Sequence, residues 1–494
     1  MKTKSIFGDY HLDHAYENLI TYMSATGSAV INRACTNAAS KKEAYRFINN
    51  ENVTVAAIEE TLIDQTVDNV QKMELTEVLV AQDTMEIVRD SLIGRLKKNR
   101  TALECARSNK GMRSHSAIVM NSETGVPAGI AYLKIWGRKP KPIAEVREED
   151  LRADRRYQPS YYMTDPESGK MRYKYFVPVS ERESESACWI DAIRQIRNAL
   201  PPKVHVIMLQ DREGDMYPLL TLPGELDNLD IVVRASKKRV VILPAGKTRD
   251  MFEYTSSTGV RHTYTISIKQ GPRKKARKAE VELRYGKITI RRPHLPVYPQ
   301  KTLELNFVRV TERDSPEGAG TERIDWLLLT FINIDNLDDA LKIVSYYRRR
   351  WFIEDFHRLL KKKGFGIEDI QVEDPHAFEI NLAVCIKSAY EVALVKKGFD
   401  SRDETIPASI AFTPLELKIV SNINTRYNPE KKIHKKPFAP GSLAWAAWAV
   451  ACEGGWSAMP SQPKPGIITF KRGIDKIETI YQYLLDTPLK PICG

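Results

Sequence analysis

The chain has 494 residues, with 75 Lys and Arg against 63 Asp and Glu, which gives a net charge of +12. This length allows several domains that each bury a core, and the positive excess suits an acidic polymer such as nucleic acid. A ribosomal or membrane-surface partner would favour the same sign of charge, so charge alone does not choose among them. No run of about 18 apolar residues occurs, which excludes a membrane-spanning helix.

Two features of the sequence bear on the cellular compartment of the protein: its first residues and its cysteines. The first residues, MKTKSIFGDY, lack the apolar segment of a secretory signal peptide. The six cysteines form no Cys-x-x-Cys pair and have no histidine at zinc-binding spacing. We therefore expect reduced thiols and an intracellular protein.

The first 70 or so residues have the apolar spacing of short helices. We predict these helices at 12–23, 41–48 and 55–71. A compact helical module at the front of a basic protein is compatible with DNA binding and equally with ordinary packing.

A strand-rich region follows. A short apolar run at 78–81 ends near Asp83, and the almost wholly apolar run 204–209, typical of a central strand, ends at Asp211. Further strands are predicted at 116–120, 130–136, 231–233 (which ends at Arg234) and 326–330, with a turn at 122–125, a helix at 188–200, a polar loop over 88–113 and irregular chain over 137–180.

Residues 237–325 differ in character from their surroundings. Between Lys269 and Arg292 there are ten Lys or Arg and two acids. The alternation of residue types at 287–291 predicts hairpin strands, so we interpret this region as an inserted, basic, β-rich subdomain. A solvated hairpin without a partner would have the same pattern. Helical segments are predicted from 336, through most of the chain after 375, and at 442–452 and 474–485, with a loop and a basic run within 401–440.

The stretch 345–363, SYYRRRWFIEDFHRLLKKK, has no Gly or Pro and predicts one long helix. At about 100° per residue, four polar side chains share one narrow stripe, and five apolar ones lie opposite. The stripe consists of Tyr347, Arg350, Glu354 and Lys361, and the apolar set of Phe352, Ile353, Phe356, Leu359 and Leu360. The stripe is either a solvated face with charge pairs or a catalytic Glu among phosphate-binding groups.

Three acids fit a common site. Asp83 and Asp211 follow apolar runs, and Glu354 lies on the helix. Three carboxylates in one cleft repel each other unless a cation lies between them, and oxygen ligands suit Mg²⁺ or Mn²⁺. Two such ions about 3.5–4 Å apart can activate a water or a 3′-hydroxyl and stabilise the leaving oxygen of a phosphodiester.

Neighbouring acids compete for each of these positions, and an Asp after a strand more often forms a turn or caps a helix. We favour Asp211 because it directly follows its strand, and Glu354 because it alone lies on the stripe. The competing residues are Glu86, Glu213, Asp215 and Asp355.

The spacing of the stripe, Tyr-x2-Arg-x3-Glu-x6-Lys, resembles the signature of the insertion-sequence-four family of cut-and-paste transposases. Similar segments occur in the same order along nearly the whole chain: AYRFI at 44–48, Asp83-Thr84, Asp211-Arg212-Glu213, VVRAS at 232–236, WLLLT at 326–330 and Gly441-Ser442-Leu443. The resemblance implies an α/β fold with a ribonuclease-H-like mixed-sheet core over 71–375, which holds the β-rich insertion at 237–325. It also implies a helical DNA-binding domain over 1–70 and a helical dimerisation region over 376–494.

The resemblance also implies roles for single residues. Asp83, Asp211 and Glu354 would be the catalytic, metal-binding triad. Contacts with the transposon end would come from Tyr347, Arg350 and Lys361, from Trp326 and Arg234 around an extruded base, and from Arg46 in the helical front. The implied cofactor is Mg²⁺, with Mn²⁺ as a substitute and two ions per site.

The implied reaction is nicking, hairpin formation, hairpin opening and strand transfer into target DNA by a homodimer. The expected location is the bacterial cytoplasm, at the nucleoid. Tyr10-His11-Leu12-Asp13 stand where the family has basic residues, so end recognition is expected to differ here. Two alternatives stay open: a catalytically idle DNA-binding inhibitor of a related transposase, and a general metal-dependent nuclease.

Overall fold

The computed structural model describes most of the chain. The described residues are 5–87, 112–137, 143–145, 159–164, 171–176, 187–268, 277–293, 300–314, 323–361, 364–425, 438–459 and 461–486. Predictions for 88–111, for 269–276 and for the basic run at 431–436 lie outside these residues.

Helices dominate both ends of the chain, and among the described residues five more lie between or after the strands of the middle. They are α1 (Tyr10–Thr26), α2 (Ile31–Ala34), α3 (Ala38–Ile48), α4 (Val55–Lys72), α5 (Ala187–Ala199), α6 (Tyr217–Thr221), α7 (Met251–Ser257), α8 (Leu337–Arg349), α9 (Trp351–Leu360), α10 (Pro375–Ser401), α11 (Pro414–Thr425), α12 (Leu443–Glu453) and α13 (Ile467–Asp486). The helices predicted in the first 70 residues, at 188–200 and at 442–452 are confirmed. The predicted loop at 401–440 contains α11, and the helix predicted at 474–485 begins seven residues earlier. Within the described chain, no helix is both long and apolar enough to cross a membrane.

Strands fill the middle of the chain. They are β1 (Glu77–Ile87), β2 (Met112–Asn121), β3 (Pro127–Gly137), β4 (Ile143–Glu145), β5 (Pro159–Thr164), β6 (Met171–Phe176), β7 (His205–Gln210), β8 (Leu229–Arg234), β9 (Val240–Ile242), β10 (Thr248–Asp250), β11 (His262–Ile268), β12 (Arg277–Arg291), β13 (Thr302–Glu312) and β14 (Asp325–Thr330). The predicted strands at 116–120, 130–136, 204–209, 231–233 and 326–330 are confirmed.

One eleven-stranded mixed sheet organises the fold, in the order β10-β9-β12-β13-β14-β8-β7-β1-β2-β3 with β11 beside β12. The strands β1, β7 and β8 pair in parallel, and the other pairs are antiparallel. The central strand β7 reads HVIMLQ and is buried along nearly its whole length, as a strand covered on both faces requires. The protein is therefore a mixed α/β fold built on one large sheet, consistent with a ribonuclease-H-like core.

The two faces of the sheet bury different helices. We call the face with Leu79 and Ala81 the front; it packs against α9 and, in the same apolar cluster, residues of the N-terminal and C-terminal helices. The back face carries Val78 and Val80 and packs against α5. Alternation along β1 puts Asp83 on the front, where α9 crosses the strand.

The region 237–325 contains strands, as predicted, together with the helix α7. Its strands β12 and β13 extend the main sheet through β14. One prediction about the middle of the chain needs correction: the region 137–180, predicted as irregular, contains β4, β5 and β6, which form a separate three-stranded antiparallel sheet. The error concerns pairing between separate segments, which a local pattern does not encode.

Candidate active site

The parallel register of β1 and β7 brings two of the predicted acids together. Pairs run from Glu77 with His205 to Ala81 with Leu209. Two residues further on, the same offset puts Asp83 opposite Asp211, on strands about 4.8 Å apart. The sequence suggested that the first of these strands ends near Asp83, but β1 continues to Ile87 along β2. The parallel partner β7 is the strand that stops here, at Gln210.

The carboxyl group of Asp83 is largely buried and lies near charges of both signs. Burial and then the charge of Asp211 raise the pKa of Asp83 to about 7, Glu354 acts in the same direction, and Arg350 opposes them. The backbone amide of Thr84 donates to Oδ1 of Asp83 at 2.8 Å, which favours the ionised form. The third predicted acid, Glu354, therefore lies within electrostatic range of the pair.

Asp211 lies in a tight turn directly after β7. Its Oδ1 accepts from the backbone amides of Glu213 at 2.7 Å and Gly214 at 3.4 Å. The competing Asp215 is fully buried, forms an ion pair with Arg239 at 2.5 Å and accepts from backbone amides of the loop after β8. Asp215 thus fixes a loop, and Asp211 is left half-exposed beside Asp83.

The competing acids near Asp83 and Glu354 also face elsewhere. Glu86 is an odd number of residues from Asp83 and so points to the other face of β1. Asp355 is exposed and pairs with Arg358 on the outside of α9. Glu354 is in the first turn of α9, where the helix dipole stabilises its negative charge.

The single long helix predicted at 345–363 is wrong at Arg350, where α8 ends and α9 begins. The amide of Arg350 bonds to the carbonyl of Tyr347, and the amide of Ile353 to that of Arg350, so the hydrogen bonds are shortened to i−3 around the junction. The apolar side of α9 is confirmed: Ile353, Phe356 and Leu360 are buried against the sheet, each contributing about 1.5–3 kcal/mol.

Arg350 is the cation at the centre of the site. It is only 4 % exposed and forms an ion pair with Glu354. Its Nε and Nη1 atoms have no hydrogen-bond partner among the described residues. Since a buried guanidinium with free donors is costly, this side chain is suited to bind an incoming anion.

An aromatic pair extends from Arg350 toward the edge of the site. The guanidinium of Arg350 lies 5.8 Å from the ring centroid of Tyr347, whose ring meets Trp326 edge-on at 5.7 Å. Tyr347 is 6 % exposed, so the stripe is not a solvated charged face at this point. Arg234 pairs with Leu328 across β8 and β14, and its Nη2 donates to the carbonyl of Asp325 at 3.3 Å.

The two remaining predicted cations lie at the end of α9 and on α3. Lys361 follows the last residue of α9, and its charge helps to lower the pKa of the buried His357. Arg46 is exposed on α3, a helix that packs against α10. The structure thus brings Arg350 to the triad and Trp326 to Tyr347, and it leaves Arg46 on the helical front.

Sequence reasoning missed one residue of this site, His357, and one exposed aromatic side chain, Trp351, next to Arg350 in the sequence. His357 is buried, with Nδ1 at 3.8 Å from Oδ2 of Asp83, and burial lowers its pKa to about 3, so it is neutral. Trp351, next to Arg350, is 55 % exposed, which is unusual for a side chain of this size. The position of His357 three residues after Glu354 on one helix is a signal that could have found it.

The donor set fits a hard divalent cation. Its oxygens come from carboxylates, and burial together with the charge of Asp211 raises the pKa of Asp83, a cost that a cation would relieve. Among the described residues, no three His, Cys, Asp or Glu side chains are already spaced to hold an ion. Glu354 is held by Arg350, so a third ligand would require this ion pair to open.

A comparison with known families agrees with this geometry. Residues 164–390 match the family described as the transposase DDE domain. The matched range includes Asp211 and Glu354, and Asp83 precedes it. The match supports a DDE transposase, an enzyme that acts on DNA.

Proposed function

We propose that this protein is a cut-and-paste DNA transposase with Asp83, Asp211 and Glu354 as its catalytic triad. The observation that carries the proposal is the β1–β7 register, which aligns Asp83 with Asp211 on the face crossed by α9. The like-charge effect of Asp211 and Glu354 on Asp83 supports the same trio. A carboxyl group such as that of Asp83, whose pKa is raised by burial and by neighbouring acids, is typical of a functional site.

The triad carboxylates would hold Mg²⁺, with Mn²⁺ as a substitute and two ions in the full site. Bound there, the ions supply a Lewis acid and an activated oxygen nucleophile for phosphoryl transfer. The residues of the chain prepare this site: the Thr84 amide orients the Asp83 carboxylate, and the turn amides of Glu213 and Gly214 orient that of Asp211.

The transposon end would bind along Arg350, Tyr347 and Trp326. The free donors of Arg350 are suited to a backbone phosphate, and Lys361 adds positive charge at the end of α9. Trp326 offers a half-exposed ring on which an extruded base can stack, with Arg234 two strand positions away. Arg46 would contact DNA from the helical front.

The proposed reaction sequence is nicking, hairpin formation, hairpin opening and strand transfer into target DNA. Each of these four steps is a phosphoryl transfer, so a single metal site could catalyse them one after another. We further propose that a homodimer carries it out, with the C-terminal helices as the dimerisation region and the bacterial nucleoid as the location.

The deciding experiment uses a duplex selected by the protein from a random pool, labelled and incubated with the full chain and Mg²⁺. Hairpin products support the proposal. Binding without cleavage would instead indicate an idle inhibitor, and nicking without end preference a general nuclease.

A matched pair of variants tests the triad directly. Glu354→Ala should abolish cleavage and leave end binding largely intact, whereas Asp355→Ala, which removes the exposed neighbour, should cleave as the wild type does. A loss of binding as large as the loss of cleavage would contradict the assignment of Glu354.

A further inference from the structure

A buried polar chain lies directly behind Asp83. Gln82 and Thr84 flank Asp83 in β1 and therefore point to the back face, where both contact His115 of β2. The Thr84 hydroxyl lies 2.8 Å from Nδ1 of His115, and Oε1 of Gln82 lies 3.0 Å from its Nε2. Gln82 and His115 are both 0 % exposed.

The partners of this chain fix the tautomer of His115. Nε2 of Gln82 donates to the carbonyl of Trp189 at 3.3 Å, so Oε1 of Gln82 is left as an acceptor. His115 must therefore carry its proton on Nε2, and its bare Nδ1 accepts the Thr84 hydroxyl. Burial lowers the pKa of His115 to about 3, in agreement with a neutral ring.

Packing holds the imidazole in this position. Its ring centroid lies 4.9 Å from that of Trp189 and 5.7 Å from that of Tyr132. A rigid ring that bonds to the residues before and after Asp83 restrains the backbone of β1 on both sides of that residue. The chain also reaches Asp83 itself, because the amide of Thr84 donates to Oδ1 of Asp83.

We propose that His115 is a positioning residue for the active site, which acts through Thr84 and Gln82 to hold the Asp83 carboxylate toward Asp211. This role rests on the proposed function, since it assigns Asp83 to the metal. The competing explanation is that the chain only satisfies buried polar groups and so stabilises the sheet. Outer partners of metal ligands typically affect metal affinity or activity by about 10–100-fold, and a purely stabilising chain does not.

The first test removes the Thr84 hydroxyl. Thr84→Val should weaken Mn²⁺ binding or slow single-turnover cleavage of bound end DNA by about 10–100-fold, and Thr84→Ser should restore it. The control is Thr66→Val, which deletes another buried hydroxyl, one that bonds to the carbonyls of Leu62 and Ile130. Thr66→Val should lower the melting temperature without changing Mn²⁺ affinity or cleavage.

The second test separates the two nitrogens of His115. His115→Asn offers an acceptor near the place of Nδ1 and can keep the Thr84 bond, whereas His115→Gln offers a donor near the place of Nε2 and can keep the Gln82 bond. If the contact through Thr84 positions Asp83, the Asn variant should retain more Mn²⁺ affinity than the Gln variant. Nitrogen NMR of the wild type should show a neutral ring protonated at Nε2.

The outcomes separate the two proposals. A wild type that cleaves and a Thr84→Val variant that matches it would overturn the positioning role alone, as would an Nδ1-protonated ring. A wild type that neither binds Mn²⁺ nor cleaves DNA would overturn the proposed function, and with it the role of His115.

Discussion

The two ends of β1 carry carboxylates on the same face of the sheet in opposite surroundings. At one end Glu77 pairs in register with His205, and at the other Asp83 aligns with Asp211. A hydrogen bond from His205, with further help from Tyr346 and Lys342, lowers the pKa of Glu77 to about 2, whereas burial and Asp211 raise that of Asp83 to about 7.

The same helix pair covers both ends. The hydroxyl of Tyr346 on α8 donates to Glu77, and Glu354 on α9 adds negative charge near Asp83. One end of the strand is therefore a satisfied ionic cluster that stabilises the fold. At the other end the buried Asp83 lies near Asp211 and Glu354, and Arg350 offsets only part of the resulting cost, since the pKa of Asp83 stays raised. Carboxyl groups perturbed in this way are common at functional sites.

The largest expected difference between the two ends is in catalysis. Asp211→Asn should slow cleavage by about a thousandfold or more, because it removes charge worth several kcal/mol to the transition state. His205→Gln, the matching change at the other end of β7, should leave the single-turnover cleavage rate close to that of the wild type. Equal losses in both variants would show that the ends do not differ in function.

The two ends should respond oppositely when their charge is removed. In urea denaturation at pH 8 without metal, Asp83→Asn should raise the free energy of unfolding by roughly 1–3 kcal/mol, because it removes a negative charge that burial and Asp211 both disfavour. Glu77→Gln should lower it by roughly 1–2 kcal/mol, because His205 and Tyr346 lose a charged partner. A lower free energy of unfolding in Asp83→Asn would contradict the conclusion that the charge of Asp83 is unfavourable in the folded protein.

Divalent ions should stabilise through one end only. Added Mg²⁺ should raise the melting temperature of the wild type and of Glu77→Gln, since an ion that binds the native state alone shifts unfolding by mass action. EDTA should reverse the shift, and Asp83→Asn should show none. An equal shift in Asp83→Asn would place the ion elsewhere.

The smallest expected effect is a pH dependence at the Glu77 end. Hydrogen bonds to Asp230 and Glu77 raise the pKa of His205 from 6.5 to about 9, so its contribution to stability is complete below about pH 6.5 and is lost as the pH rises through about 9. Melting curves of the wild type should therefore approach those of His205→Gln across this interval. A constant difference between the two would contradict the raised pKa.

Much of the sheet, and the proximity of Asp83 to Asp211, could be predicted from local pattern. The apolar runs before Asp83 and Asp211 define buried strands, and buried parallel neighbours bring the residues after them together. The stripe singled out Glu354 over Asp355, and the structure turns Asp355 outward.

The remainder depends on contacts between distant residues. The break at Arg350 has no signal in the stretch itself, which has neither Gly nor Pro. The burial of Tyr347 depends on Trp326, and the contact of His357 with Asp83 depends on where α9 crosses β1. The hydrophobic periodicity of the sequence does not encode these side-chain contacts.

The shared register of β1 and β7 has a consequence for how this enzyme can change. Asp83 follows Gln82, and Asp211 follows Gln210, and both glutamines are fully buried. In each pair the glutamine faces the back of the sheet and the aspartate faces the front. A single-residue deletion inside β7 would move Asp211 into the place of Gln210 and turn its side chain toward the apolar back of the sheet. Changing the number of residues in this strand would thus be more damaging than most exchanges of residue type around it.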